Sequence, residues 1–350
     1  MGEKEGSIFP LAVLNPAGRD PDQDFPDFAG EPDERNHAPV NFHAYAAATG
    51  GSFLRSVEAV LGRGLRRVVL LLRPDLRVAL TAMEKLRSAH CQVLITFKEA
   101  GLHQIGEALA KPGNPALFTQ LCHQADGALA STSDGVAIYR AGGSKSVHFL
   151  PTPYPVEDAR WDFSLPLSAR TGIFIGTREF DVPSRNHGLA VSVAFSIAHA
   201  LKTTVSVVNE DGRTGRKRLE SLAEEFPGLQ WTMIEGRRPY PEYLKMVARH
   251  RLIFQWDNSS VPGQLAGDAL LCGIPCVGGN GATERVVFPD LTGHGRDLAE
   301  AAELCRRLLR DAVFYENQTR QAQELAVEKL SFGSAKQGLR EIFDGFSGEN

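Results

Sequence analysis

Residues 252–279 read LIFQWDNSSVPGQLAGDALLCGIPCVGG. The stretch opens on an apolar run of strand type, passes through Asp257, Asn258, Ser259 and Ser260, and turns helical from Gln264. Asp, Asn and Ser cap helices and shape turns because their short side chains hydrogen-bond nearby backbone groups. Gly263 lets the backbone come close to a ligand. A helix that begins at Gln264 aims its first unpaired N–H groups and its positive dipole end beyond the strand, and a diphosphate is the guest best matched to that. Asp268, one turn in, is placed to accept hydrogen bonds from ribose hydroxyls. A plain, well-capped strand–turn–helix connection would use the same residues, so this stretch alone leaves both readings open.

Strand and helix patterns alternate on both sides of it. Residues 8–14 (IFPLAVL) read as a first strand, and 15–41, rich in Pro, Asp and Gly, as a long loop. Residues 52–61 have helical spacing. The continuous runs 67–72 (RVVLLL) and 91–97 (CQVLITF) suit strands buried on both faces. Helices are predicted at 76–88 and 114–124, and short strands at 128–131 and 147–150. Residues 151–170 hold four prolines and read as a linker. The alternation then restarts with strands at 172–176, 203–208 and 231–234 and helices at 188–201, 217–225 and 240–249. It ends in helices at 298–310, 317–329 and 334–343. This pattern predicts an α/β chain of two Rossmann-like, doubly wound parallel-sheet domains, 1–168 and 169–333, facing across a cleft. The last helix, about 334–350, is expected to pack back on the first domain.

Bulk properties bound the function. The 350 residues suffice for two cores, and 43% hydrophobic with 23% charged residues is ordinary globular composition. A net charge of −4 argues against a general nucleic-acid binder, which needs an excess of Lys and Arg. The five cysteines form no CxxC pair and read as reduced core residues of a cytoplasmic protein. The start MGEKEGSIFPLAVL has neither a signal-peptide nor a membrane-helix pattern, and Gly6 departs from a myristoylation signal. GxSxG, HExxH and P-loop motifs are absent from the sequence.

GDALLCGIPCVGG resembles the stretch EAMACGxPVV of the retaining two-domain glycosyltransferases of the sucrose-synthase-like family 4. The family pattern is Glu, seven residues, Glu. Asp268 falls on the second Glu, Gly263 on the internal Gly, and Ser260 on the first Glu, the residue that touches sugar hydroxyls. Residues 278–311 (GGNGATERVVFPDLTGHGRDLAEAAELCRRLLRD) are similar to the family's GGxxEVV, loop and helix. FGSAKQGLREIF, at 332–343, is similar to its crossing final helix. In the first half, residues 125–155 (ADGALASTSDGVAIYRAGGSKSVHFLPTPYP) resemble the strand, helix start and closing strand before the linker. Thr49-Gly50-Gly51-Ser52 resembles the Gly-Gly loop near the donor phosphates. The resemblance spans about two-thirds of the chain at low identity. The family's His after the third N-terminal strand is not matched; the sequence there is Thr96-Phe97-Lys98-Glu99, with His103 further on.

The resemblance implies a two-domain GT-B fold and transfer of a sugar from a nucleotide-diphosphate sugar to an acceptor hydroxyl, with retention. Such chemistry rests mainly on stabilising the leaving diphosphate. Arg178 and Arg185, in the loop after the first strand of the second half, match the family's diphosphate clamp, and Arg suits bidentate phosphate contacts. Glu235 and Gly236 fall beside the nucleotide base. Donor contacts are thus expected from Gly50, Gly51, Arg178, Arg185, Glu235, Gly236, Asn258, Ser259, Ser260, Gly263, Gln264 and Asp268. Glu99 and His103, after a strand, are candidates to assist the acceptor or orient the donor, with Arg178 as the third catalytic candidate; residues of these types in a loop are more often plain surface groups. No metal and no cofactor is expected. Asp20-Pro-Asp22-Gln-Asp24 imitates a metal motif, but Phe25 stands where a calcium loop needs Gly, and an acidic solvated loop is the simpler reading. Residues 213–218 (RTGRKR) are a basic run suited to an anionic lipid surface or acceptor, though a solvated face is the commoner use. The acceptor class stays open among glycan, lipid-linked, protein and small-molecule hydroxyls. Ser260 also admits a catalytically silent sugar-nucleotide or glycan-binding relative, and a nucleotide-sugar epimerase is a third reading.

Overall fold

The run RVVLLL is buried from Val68 onward because both faces of its sheet are covered. In the computed structural model, which describes residues 9–16, 18–28, 30–32, 37–98 and 101–346, Val68, Leu70 and Leu72 belong to one apolar cluster. Val69 and Leu71 belong to another. Alternate residues of a strand point to opposite faces, so the two clusters are the two sides of one sheet.

The chain divides into two units, Met1–Glu157 with Leu330–Asn350, and Asp158–Lys329. The first unit holds β1 (Ala12–Leu14), β2 (Gln23–Asp24), α1 (His43–Thr49), β3 (Ser52–Leu54), α2 (Val57–Gly62), β4 (Arg67–Leu72), α3 (Leu76–Ser88), β5 (Gln92–Phe97), α4 (Leu102–Leu109), α5 (Asn114–Gln124), β6 (Gly127–Ala130), α6 (Val136–Ala141) and β7 (Val147–Phe149). Sheet order is β2-β3-β1-β4-β5-β6-β7, with β2 antiparallel to β3 and the other pairs parallel. Helices α2, α3 and α5 supply Val60, Met83, Leu86 and Leu121 to one face. Tyr45, Ala46 and Ala47 of α1 cover the other, together with Leu339, Ile342 and Phe343 of a helix at Phe332–Gly345. Burying each such Leu or Phe contributes on the order of 1.5–3 kcal/mol.

The second unit holds β8 (Ile173–Ile175), α7 (His187–Leu201), β9 (Thr204–Asn209), α8 (Gly212–Glu224), β10 (Gln230–Glu235), α9 (Tyr240–Val247), β11 (Leu252–Phe254), α10 (Gln264–Leu271), β12 (Cys276–Val277), α11 (Ala282–Val287), α12 (Leu298–Arg310) and α13 (Ala312–Lys329). Its sheet is all parallel, in the order β10-β9-β8-β11-β12. The order reverses at β8, so the carboxyl ends of β8 and β11 flank a topological switch point, where open α/β sheets bind ligands.

The structure departs from the sequence reading in several places. The units meet between residues 157 and 158, not 168 and 169, because the intervening segment packs on the second unit. Trp161 is buried against Tyr240, and the Phe163 N–H donates to the Leu271 carbonyl at 2.9 Å. Residues 52–54 form a strand rather than the start of a helix, because they pair with β1 along its length. Gly50 is the left-handed cap that ends α1, and Gly51 lies against Leu11, whose carbonyl oxygen a Cβ at position 51 would approach to 2.1 Å. Both glycines therefore sit at the amino end of β3, opposite the end where parallel sheets bind ligands. The pair serves chain packing there, which corrects its expected place near donor phosphates. Helix α4 lies where the sequence predicts none, since only Ile105 and Ala108 of it are buried. All five cysteines are buried and unpaired. Among the described residues no helix is long and apolar enough to cross a membrane.

Gly51→Ala is expected to cost about 2–3 kcal/mol, the penalty of overpacking against rigid backbone. Urea unfolding checks this; an unchanged midpoint would contradict the role given to Gly51.

Candidate functional site

At the switch point of the second unit, Asp257 joins two loops. One of its carboxylate oxygens accepts the Ser259 N–H at 2.7 Å, the turn its position after β11 leads one to expect. The other accepts a short hydrogen bond from Arg185. The loops meet again where Asn258 N–H donates to the Ser184 carbonyl at 2.8 Å. The Ser259 and Ser184 hydroxyls are bonded at 2.8 Å, and Asn186 Nδ2 reaches the Trp256 carbonyl at 3.0 Å. Ser260 adopts a left-handed φ of 49°, and its N–H donates to Asn280 Oδ1 at 2.8 Å, while Asn280 Nδ2 donates to its hydroxyl at 3.2 Å.

These loops border a cavity of about 400 Å³ within the second unit. Gly263, at φ 93°, begins α10 with no side-chain cap, and the positive end of that helix borders the cavity. Gly263, Gln264 and Leu265 line the cavity with Arg178, Arg185, Gly236 and Asp268. Arg178 pairs with Glu210 at 2.8 Å, both half exposed, an ion pair of about 0–1 kcal/mol that a ligand can displace. Arg185 also lies 3.2 Å from Glu179. Arg237 and Arg238 are exposed residues that line the cavity, with no ion-pair partner among the described residues.

Asp268 is buried and accepts the Tyr240 hydroxyl at 2.5 Å. Burial pushes its carboxyl up to about 7, against the pull of hydrogen bonds from Tyr240 and Tyr243 and the charge of Arg178. Glu284 is also buried on the cavity wall. Gln255 Nε2 donates to its Oε1 at 2.7 Å, and its Oε2 has no partner. Burial, reinforced by the charge of Asp257, pushes Glu284 up to about 7; its own backbone, Gln255 and Arg185 act the other way. Behind the loop after β8, Thr177 shares a 3.0 Å hydrogen bond with His187, which burial holds down at about 4 and hence uncharged.

The fold thus gathers six of the expected donor residues, Arg178, Arg185, Gly236, Gly263, Gln264 and Asp268, at one cavity. Asn258, Ser259 and Ser260 are spent on the loop scaffold. Glu235 is held by Asn209 at 2.9 Å and by Arg216, and does not line the cavity. Tyr240, Tyr243, Gln255 and Glu284 are members the sequence reading misses. The run 213–218 lies in α8 rather than before it, and Arg218 pairs with Asp181 at 2.8 Å, stacking over Phe180.

In the first unit, His103 is exposed on α4 and pairs with Glu107 one turn on at 3.3 Å, the ordinary surface arrangement. Glu99 lies outside the described residues. In the acidic loop, Asp22 accepts the Arg55 N–H at 2.9 Å and Asp24 accepts the Ser52 hydroxyl at 2.6 Å. Asp20, His37 and His43 bring potential ligand atoms within 4.8 Å of one another. The two imidazoles are stacked, however, 3.9 Å apart at an interplanar angle of 7°. Ring lone pairs lie in the ring planes, so two near-parallel rings do not converge on one ion.

No protein-family model matches the sequence, and no curated protein matches it. Solved structures do share the fold. An E. coli trehalose-6-phosphate protein bound with UDP-2-fluoro glucose aligns over 83% of this chain and 75% of its own, at 12% identity and a TM-score of 0.57. A UDP-forming α,α-trehalose-phosphate synthase from Burkholderia xenovorans aligns over 80% and 74%, at 13% and 0.56. A glycosyltransferase from Rickettsia africae aligns over 84% and 80%, at 9% and 0.59. The fold is therefore that of the two-domain GT-B glycosyltransferases.

Asp268 holds its proton up to about pH 7 in the folded chain, whereas an unfolded Asp releases it near 4. Its contribution to stability is thus fully present below about pH 4 and is lost as pH rises toward 7. Relative to wild type, Asp268→Asn should gain melting temperature between pH 5 and 8. Parallel pH profiles for the two proteins would contradict the raised carboxyl.

Proposed function

We propose that the chain is a glycosyltransferase that moves a sugar from a nucleotide-diphosphate sugar to an acceptor hydroxyl, with retention. The carrying observation is the convergence of the uncapped α10 N-terminus with Arg178 and Arg185 at the switch point of a parallel sheet. In this reading the bond from the anomeric carbon to the diphosphate oxygen breaks. The charge that develops on the diphosphate is met by helix N–H groups and guanidinium forks, that of Arg185 already held by Asp257. The acceptor oxygen bonds to the anomeric carbon and its proton passes to the departing diphosphate oxygen. Asp268, steadied by Tyr240, takes hydrogen bonds from the ribose, and Gly236 lies beside the base. The fold neighbour bound with UDP-2-fluoro glucose supports the donor class. With cations of the protein opposite the diphosphate, no metal or cofactor is required. Five unpaired cysteines favour a reducing, cytoplasmic setting.

A second reading, a silent sugar-nucleotide binder, draws on Ser260, which stands where an acid is expected and is bonded to Asn280. Slow release of nucleoside diphosphate from a bound donor separates the two: a turning-over enzyme releases it, a binder does not.

Thermal shift against UDP, GDP, ADP and TDP should reveal stabilisation by at least one of them, unchanged by EDTA. Arg185→Lys keeps the charge on Asp257 but loses the fork. It should weaken that binding about tenfold, equivalent to about 1.4 kcal/mol, and Arg178→Ala less. No shift with any of the four would overturn the proposal.

A further inference from the structure

Resting on the glycosyltransferase reading, we propose that Glu284 is the acid that receives a hydroxyl hydrogen bond from the transferred sugar, in place of the acid missing at position 260. Four observations lead there. Ser260 cannot serve in its present setting: both its N–H and its hydroxyl are engaged by Asn280, and it does not line the cavity. Glu284 does line it, and is only 2% exposed. One of its oxygens is satisfied by Gln255, while Oε2 has no partner. Finally, the space around Oε2 is kept open by two glycines. A Cβ at Gly263 would stand 2.1 Å from it, and one at Gly281 2.3 Å.

A buried carboxylate oxygen without a donor costs about 1–3 kcal/mol or more, so its placement on a cavity wall favours a ligand that brings a donor. A diphosphate has only acceptors to offer and cannot supply a donor to the carboxylate oxygen. Sugar hydroxyls donate. The position is also apt: Gly263 caps α10, where the diphosphate is expected, and Oε2 lies against Gly263, within reach of a group carried on that diphosphate. The competing role is structural, since Glu284 stands in the first turn of α11 and its charge favours that helix end. A structural role predicts lower stability with no change in what the site distinguishes.

Calorimetry on the full chain separates the two. The probes are UDP, UDP-glucose, GDP and GDP-mannose. Glu284→Gln keeps an oxygen for Gln255 but turns the free acceptor into a donor. Wild type should bind a sugar conjugate at least tenfold tighter than its bare diphosphate. In Glu284→Gln the bare diphosphate should bind within threefold of wild type, which also reports that the variant is folded, and the sugar's advantage should vanish. Gly281→Ala, which displaces the carboxylate without removing it, should do the same, and Ser260→Ala should not. Retention of the sugar's advantage in Glu284→Gln and Gly281→Ala overturns the proposal, as does a wild type that gains nothing from the sugar. A wild type that binds none of the four probes instead fails the glycosyltransferase reading itself.

Discussion

The hydrogen-bonded ion pair between Asp257 and Arg185 is the constraint on which the second unit's site depends. Reversal of strand order at β8 opens a gap between two loops, and a gap alone would leave them free to move. Asp257 closes it by turning its own loop through Ser259 and holding Arg185 from the other. Because Asp257 is buried, its charge is costly unless it is paired and hydrogen-bonded, and Arg185 is costly to remove for the same reason. The pair also sets the direction in which α10 starts, since Ser260, Gly263 and Gln264 follow within one loop.

The cavity's charge distribution follows from this. Four arginines, Arg178, Arg185, Arg237 and Arg238, face five acids, Glu179, Glu210, Asp257, Asp268 and Glu284. Without ligand, Arg178 and Arg185 are held by ion pairs, whereas Arg237 and Arg238 have none among the described residues. An anionic ligand must take arginines from Glu179 and Glu210, which are exposed and give them up at little cost, while Asp257 keeps its hold from within. Burial leaves Asp268 and Glu284 only partly charged at pH 7, which limits repulsion.

Much of this was legible in the chain. The two-sided runs RVVLLL and LIFQW, and the change from capping residues to a helical run after Asp257, determine local structure through backbone physics that needs no tertiary context. Their reading holds to within a few residues. Tyr240 and Gln255 escaped notice because a Tyr at a helix start and a Gln at a strand end carry no pattern; only the sheet order brings them to Asp268 and Glu284. Gly50 and Gly51 misled for the converse reason. A Gly-Gly pair is compatible with a ligand loop and with a tight helix-to-strand turn, and only the pairing of β3 with β1 shows which end of the sheet it occupies. Asn258 and Ser259 were recognised as turn formers, and turn formation is where the structure spends them.

The first unit is assembled from two separated pieces of chain. Leu339, Ile342 and Phe343 cover the sheet face that Val13, Val69, Leu71 and Leu94 present, and those residues are synthesised only after the whole second unit. During translation the second unit, continuous in sequence, has all its parts while one sheet face of the first still lacks part of its cover. Vectorial synthesis therefore supplies the last part of the first unit only after the whole of the second, and the apolar surface under residues 332–345 stays uncovered until then.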